Sequence, residues 1–128
     1  MRSSGWLVLL LLAASPARAG EPFPFGSELI LETGPLYGSK RIPMIEIEED
    51  GTAAIDLWCA STKAQVTVGE SSIAIVAEPA IAAQCTPERS SGDQDLLTAL
   101  SQVTDWRRDG DLIELSGTTT LRFRLMTN

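Results

Sequence analysis

Pro43-Met44-Ile45-Glu46-Ile47-Glu48-Glu49-Asp50-Gly51-Thr52-Ala53-Ala54-Ile55-Asp56-Leu57-Trp58-Cys59 is the stretch on which the fold turns. Ile45 and Ile47 fall on one side of an extended chain, with Met44, Glu46 and Glu48 on the other. After the turn residues Glu49-Asp50-Gly51 the alternation resumes: Ala53, Ile55, Leu57 and Cys59 share one side, Ala54, Asp56 and Trp58 the other. A period of two residues is that of a pleated strand with one buried face. Two such runs about a Gly-containing turn predict a β-hairpin. The alternation directs the Cys59 sulfur inward and sets Trp58 on the opposite face, beside Asp56.

Reading outward from this hairpin, a second one follows. Ala64, Val66 and Val68 alternate with Lys63, Gln65 and Thr67, Gly69-Glu70-Ser71 turns the chain, and Ile73 and Ile75 continue on one face. Residues 77–92, with Pro79, Pro87, two serines and Gly92, read as irregular, and Cys85 lies among them. Leu96, Leu97, Leu100 and Val103 then form one apolar stripe at helical spacing. Ser91 with Gln94 is a candidate capping box, and Asp93 and Asp95 suit the positive end of the helix dipole. Trp106 is expected in the core, and Arg107-Arg108-Asp109-Gly110 as a turn. A last hairpin is expected over Asp111–Ser116 and Thr119–Met126, about Gly117. On the N-terminal side, Glu28–Thr33 reads as a first strand and Gly34–Arg41 as a loop. The predicted fold is mainly β with one helix, an α+β chain of six or seven antiparallel strands curling into a small barrel that hides its edges.

The first nineteen residues belong to a different physical class. Met1-Arg2-Ser3-Ser4 carries one positive side chain, Trp6 to Ala14 are apolar, and Ala17-Arg18-Ala19 supplies a small-x-small cleavage site. The apolar run is too short for a spanning helix, which needs roughly 20 residues. The pattern is that of a secretory signal peptide cleaved after Ala19, the alternatives being an uncleaved anchor or a buried helix. The expected organisation is a leader over 1–19, an N-terminal arm over 20–30, and a β domain over 31–128. The expected location is periplasmic or secreted, with no stable membrane span after cleavage.

Loss of Arg2 and Arg18 leaves 8 Lys+Arg against 17 Asp+Glu, a formal charge of −9 for the mature chain. That surface repels phosphate backbones, so nucleic acid is not an expected partner. The two cysteines, Cys59 and Cys85, form an even pair in a small exported domain, which favours one disulfide over two free thiols. Their spacing is too wide for a redox Cys-x-x-Cys motif, and two cysteines without histidine make a poor zinc site. Such a bridge would pin the 77–92 segment to the strand before it.

Taken together, the hairpin Glu49-Asp50-Gly51-Thr52-Ala53, Cys59 at the end of its second strand, the run Val66–Ile75, and Cys85 after an irregular segment resemble the META domain (HslJ-like) family. The helix Asp95-Leu96-Leu97-Thr98-Ala99-Leu100 and the closing Gly110-Asp111-Leu112-Ile113-Glu114-Leu115 with Leu121-Arg122-Phe123 extend the resemblance to Leu125. One departure is clear: the family often has Gly-Cys-Asn at the first cysteine, where this chain has Trp58-Cys59-Ala60. Whatever the family's Asn does is therefore not carried over. The resemblance implies a compact β-rich envelope domain, with relatives tied to heat-shock expression and antibiotic tolerance. It implies no catalytic residues.

The chain contains no histidine. Ser-His-Asp and Cys-His catalysis, and the usual near-neutral acid–base group, are thereby excluded. Glu46, Glu48, Glu49 and Asp50 gather at the first turn but lack the ordered spacing of a calcium loop, and read as a solvated turn. No catalytic residue, metal ligand or cofactor is assigned. The expectation is a non-enzymatic exported protein with an envelope binding or structural role. Its partner would be an unknown envelope protein or a small apolar ligand. The alternatives are a carrier with its ligand inside the barrel and a secreted inhibitor of another protein. Trp58 is the candidate partner contact, since Trp is enriched at binding hot spots; the competing expectation is that the helix or a loop covers it.

Overall fold

The computed structural model describes residues 20–33, 40–81 and 84–126. The expected leader, and positions 34–39 of the expected loop, lie outside the described residues. Eight strands and one helix follow in the order β1 (Glu28–Leu31), β2 (Met44–Ile47), β3 (Thr52–Asp56), β4 (Ser61–Val68), β5 (Ile73–Ala77), α1 (Pro87–Ser101), β6 (Asp105–Asp109), β7 (Leu112–Ser116) and β8 (Thr120–Leu125). They make one antiparallel sheet in the order β5-β4-β3-β2-β1-β8-β7-β6. The opening hairpin pairs Ile45 with Ile55 and Ile47 with Ala53, so the alternation read from the sequence sets the register.

The sheet curls until its two ends meet. Ile73 N donates to Thr104 O at 3.0 Å, Trp106 N donates to Ser71 O at 2.9 Å, and Ser72 bridges Asp105. The result is a nearly closed barrel. Beyond that short seam α1 packs against β5, while the arm before β1 reaches β6, where Arg108 Nη1 donates to Pro22 O at 2.8 Å. Both edge strands are thus shielded, which removes the open edges that promote aggregation.

Inward side chains from every strand but β6 fill the barrel. Leu29, Ile45, Ile47, Ile55, Ile113, Leu115 and Phe123 belong to one contiguous cluster and are each no more than 2% exposed. Burying one such side chain contributes roughly 1.5–3 kcal/mol. The inward Ile, Leu and Phe side chains pack into one cluster across the barrel, which argues against the expected alternative of an apolar ligand inside it.

Several expectations are corrected. Among the described residues the strands number eight rather than six or seven. Arg107, Arg108 and Asp109 belong to β6, and the turn is confined to the residues around Gly110. The helix begins at Pro87, so residues 87–92 of the segment read as irregular are helical. Its cap is Thr86, whose side chain accepts from Arg89 N, and not the Ser91–Gln94 pair. Pro87 sits at the first helical position, where its missing N–H is no loss. Residue 30, drawn as the end of the arm, falls inside β1, which lies between β2 and β8 near the middle of the sheet. Among the described residues no helix is long and apolar enough to cross a membrane.

Candidate functional site

Strand β3 stops at Asp56. The chain then turns through Leu57–Ala60, closed by a hydrogen bond from Leu57 N to Ala60 O at 2.9 Å, before β4 begins. This turn explains why strand alternation fails for Trp58. Leu57, Trp58 and Ala60 are all buried, while Cys59 is only partly so.

Cys59 is bonded to Cys85, with their Cα atoms 5.9 Å apart. The bridge joins the turn to the residue just ahead of the helix cap. A second attachment comes from the helix itself. Asp93, 2% exposed, accepts from Ala60 N at 2.8 Å and from Cys59 N at 3.3 Å. On the other side Arg41 Nη1 donates to Cys59 O at 3.2 Å and pairs with Asp56 at 3.6 Å. A buried carboxylate is tolerated when its oxygens are hydrogen-bonded, and Asp93 meets that requirement with two backbone donors.

Trp58, 9% exposed, lies on the wall of a surface groove of about 470 Å³. Leu31 and Leu121 line it from the barrel end, Leu96 and Ala99 from the helix, and Arg122 and Asp95 stand at its polar margin. Trp58 is therefore covered by the helix side of the molecule, with its remaining surface turned to the groove. In the segment between β5 and the helix, Ile81 is 73% exposed.

The acidic turn does different work. Asp50 accepts from the Thr52 hydroxyl at 2.7 Å and from Thr52 N at 2.9 Å. These bonds, the hydroxyl first, hold the Asp50 carboxyl below its ordinary value of 3.8. Among the described residues no group of three or more His, Cys, Asp or Glu is arranged to hold a metal ion.

Trp106, expected in the core, is half-buried on β6. Its indole meets Phe23 edge-on, with centroids 5.1 Å apart at 87°. Arg108 is not a solvated turn residue: it pairs with Glu21 at 3.3 Å and donates to Gly110 O and Pro22 O. Asp93 was missed as a structural acid, although a signal for it exists. Asp93, Leu96 and Leu100 occupy one helical stripe, and a carboxylate in an apolar stripe marks a buried polar contact.

A nearly closed antiparallel barrel, flanked by one helix that is bonded and disulfide-linked to the β3–β4 turn, defines a small β-rich module. The sequence profile of the META domain matches residues 27–127, and the chain belongs to the META domain family. No curated protein matches the sequence. Two solved structures share the fold. One is a protein from Burkholderia xenovorans determined by NMR, at 14% identity and a TM-score of 0.62, covering 84% of this chain and 93% of that one. The other, also an NMR structure, has 13% identity and a TM-score of 0.61, covering 78% and 89%.

Proposed function

We propose that the protein is exported and acts in the periplasm or outside the cell as a non-enzymatic META-domain protein of the envelope, binding a partner or supporting envelope integrity under stress. The observation that carries this reading is the Cys59–Cys85 disulfide, since such bonds persist in oxidising compartments and are rare elsewhere. The leader pattern ending at Ala17-Arg18-Ala19 supports the same route. The absence of histidine from the sequence supports a binding role over catalysis. The test is to fractionate cells, sequence the N-terminus and alkylate under non-reducing conditions. The expected outcome is a chain beginning at Gly20 outside the cytoplasm with both thiols protected. A cytosolic protein with an intact Met1 end and two alkylatable thiols overturns the reading. So does a substrate turned over in a hydrolase screen and lost on changing one acidic residue.

A second reading is favoured by the groove beside Trp58: a small apolar ligand held at the surface rather than inside the barrel. The mature chain has two tryptophans, Trp58 and Trp106. In a Trp106→Phe protein, titration with 1-anilinonaphthalene-8-sulfonate reports on Trp58 alone. Quenching that saturates, and that Ala99→Arg on the partly exposed groove wall abolishes while the protein stays folded, supports groove binding. An unchanged spectrum counts against it.

A further inference from the structure

Helix α1 reaches the Leu57–Ala60 turn by two routes, one covalent and one not. Cys85 stands immediately before the Thr86 cap, and Asp93 sits two turns into the same helix. Both reach residues 59–60: Cys85 through sulfur, Asp93 through the N–H groups of Cys59 and Ala60 at 3.3 and 2.8 Å. We propose that Asp93 is the positioning residue for the disulfide, holding the Cys59 backbone against the helix so that the two sulfurs remain within bonding reach when the bond is open.

The argument rests on burial and on independence. Asp93 is 2% exposed and its hydrogen bonds go to backbone N–H groups, which the oxidation state of sulfur does not alter. Leu96 and Leu100, 5% and 1% exposed, anchor the same helix face to the core, again without sulfur. Reduction therefore removes one of three attachments, and the two thiols stay close. Closeness raises the effective concentration of one thiol at the other, and with it the equilibrium constant for closing the bond. With glutathione disulfide as oxidant, the thiolate of one cysteine attacks it, forming a mixed disulfide and releasing one glutathione. The second cysteine thiolate then displaces the other glutathione. Two electrons pass from the protein thiols to glutathione disulfide, and the two thiol protons end on two molecules of glutathione.

The test is the thiol–disulfide equilibrium of the mature protein in glutathione buffers, compared for wild type, Asp93→Asn and, as a remote core control, Val66→Ala. Asp93→Asn is expected to shift the equilibrium at least tenfold toward the dithiol, about 30 mV for a two-electron couple. Val66→Ala is expected to leave it unchanged although it lowers stability. Equal equilibria for wild type and Asp93→Asn, or an equal shift with Val66→Ala, overturn the proposal. A second measurement does not need a redox-active variant to fold: amide exchange at Ala60 in Cys59→Ala/Cys85→Ala protein. Retained protection, lost on adding Asp93→Asn, supports the carboxylate as an independent hold; rapid exchange with Asp93 intact overturns it.

Discussion

The indole N–H of Trp106 donates to the carbonyl of Gly69 at 2.9 Å, so a β6 side chain ties down the β4–β5 turn across the barrel's seam. The arm adds to the same corner, with Phe23, 6% exposed, packed edge-on against that indole. Trp106→Phe keeps a ring for Phe23 but loses the donor. The expected loss is about 1–2 kcal/mol, read as a lower urea midpoint. Phe23→Ala is expected to cost about 3 kcal/mol by leaving a cavity at the seam. An unchanged midpoint in both variants means that the arm and indole do not hold the seam.

Asp50 gives an acid-side signature. Its carboxyl titrates below 3.8 in the folded protein because the Thr52 hydroxyl, and then the Thr52 backbone N–H, bond its charged form. A depressed folded value means a stabilising contribution that is present above the unfolded value and lost as pH falls through the folded one. Thr52→Val removes the larger cause. The Asp50 carboxyl shift, followed by NMR, is expected to move its midpoint upward toward 3.8, and Asp50→Asn to flatten the pH dependence of stability below pH 4. An Asp50 midpoint unmoved by Thr52→Val contradicts the assignment.

Two glycines are fixed by geometry. Gly51 closes the first hairpin at φ 90°, and an added Cβ would stand 3.0 Å from Val66 O. At Gly117 the added Cβ would lie 2.1 Å from Gln102 O and 2.7 Å from Gln102 C, both backbone atoms. Gly51→Ala is expected to lose about 1–2 kcal/mol through an unfavourable backbone conformation. Gly117→Ala is expected to lose more, because the end of the helix must move. Thermal unfolding of the two variants ranks them.

The disulfide spans 26 residues of chain. Closing a loop of that size contributes about 3.5 kcal/mol in the chain-entropy account. Cys59→Ala/Cys85→Ala is expected to lower unfolding stability by about that amount. Reductant should lower the midpoint of the wild type and leave the variant's where it was.

The hairpins were legible because each of their strands buries one face, and a period of two survives any tertiary context. The other elements depend on partners far away in the chain. β6 reads Asp105-Trp106-Arg107-Arg108-Asp109, with no apolar alternation, because its half-buried positions meet the arm and the β4–β5 turn rather than the barrel core. The first two turns of the helix carry no apolar side chain after Pro87, so no stripe announces them. Thr86-Pro87 was the available signal, a capping side chain followed by a residue suited to the first helical position. Trp58 was misplaced by extending strand alternation past Asp56 into a turn. That turn is held by Asp93, more than thirty residues away, and no local pattern reports such a contact. The groove beside Trp58 depends on where the helix lies, and was illegible for the same reason.

β1 lies between β2 and β8, so the opening strand of the domain gains its second neighbour only from the closing one. For a polypeptide emerging amino end first, one margin of β1 therefore has no partner until residues 120–125 have been made. A stop a dozen residues early would remove β8 and leave a margin of β1 and a margin of β7 unpaired at once.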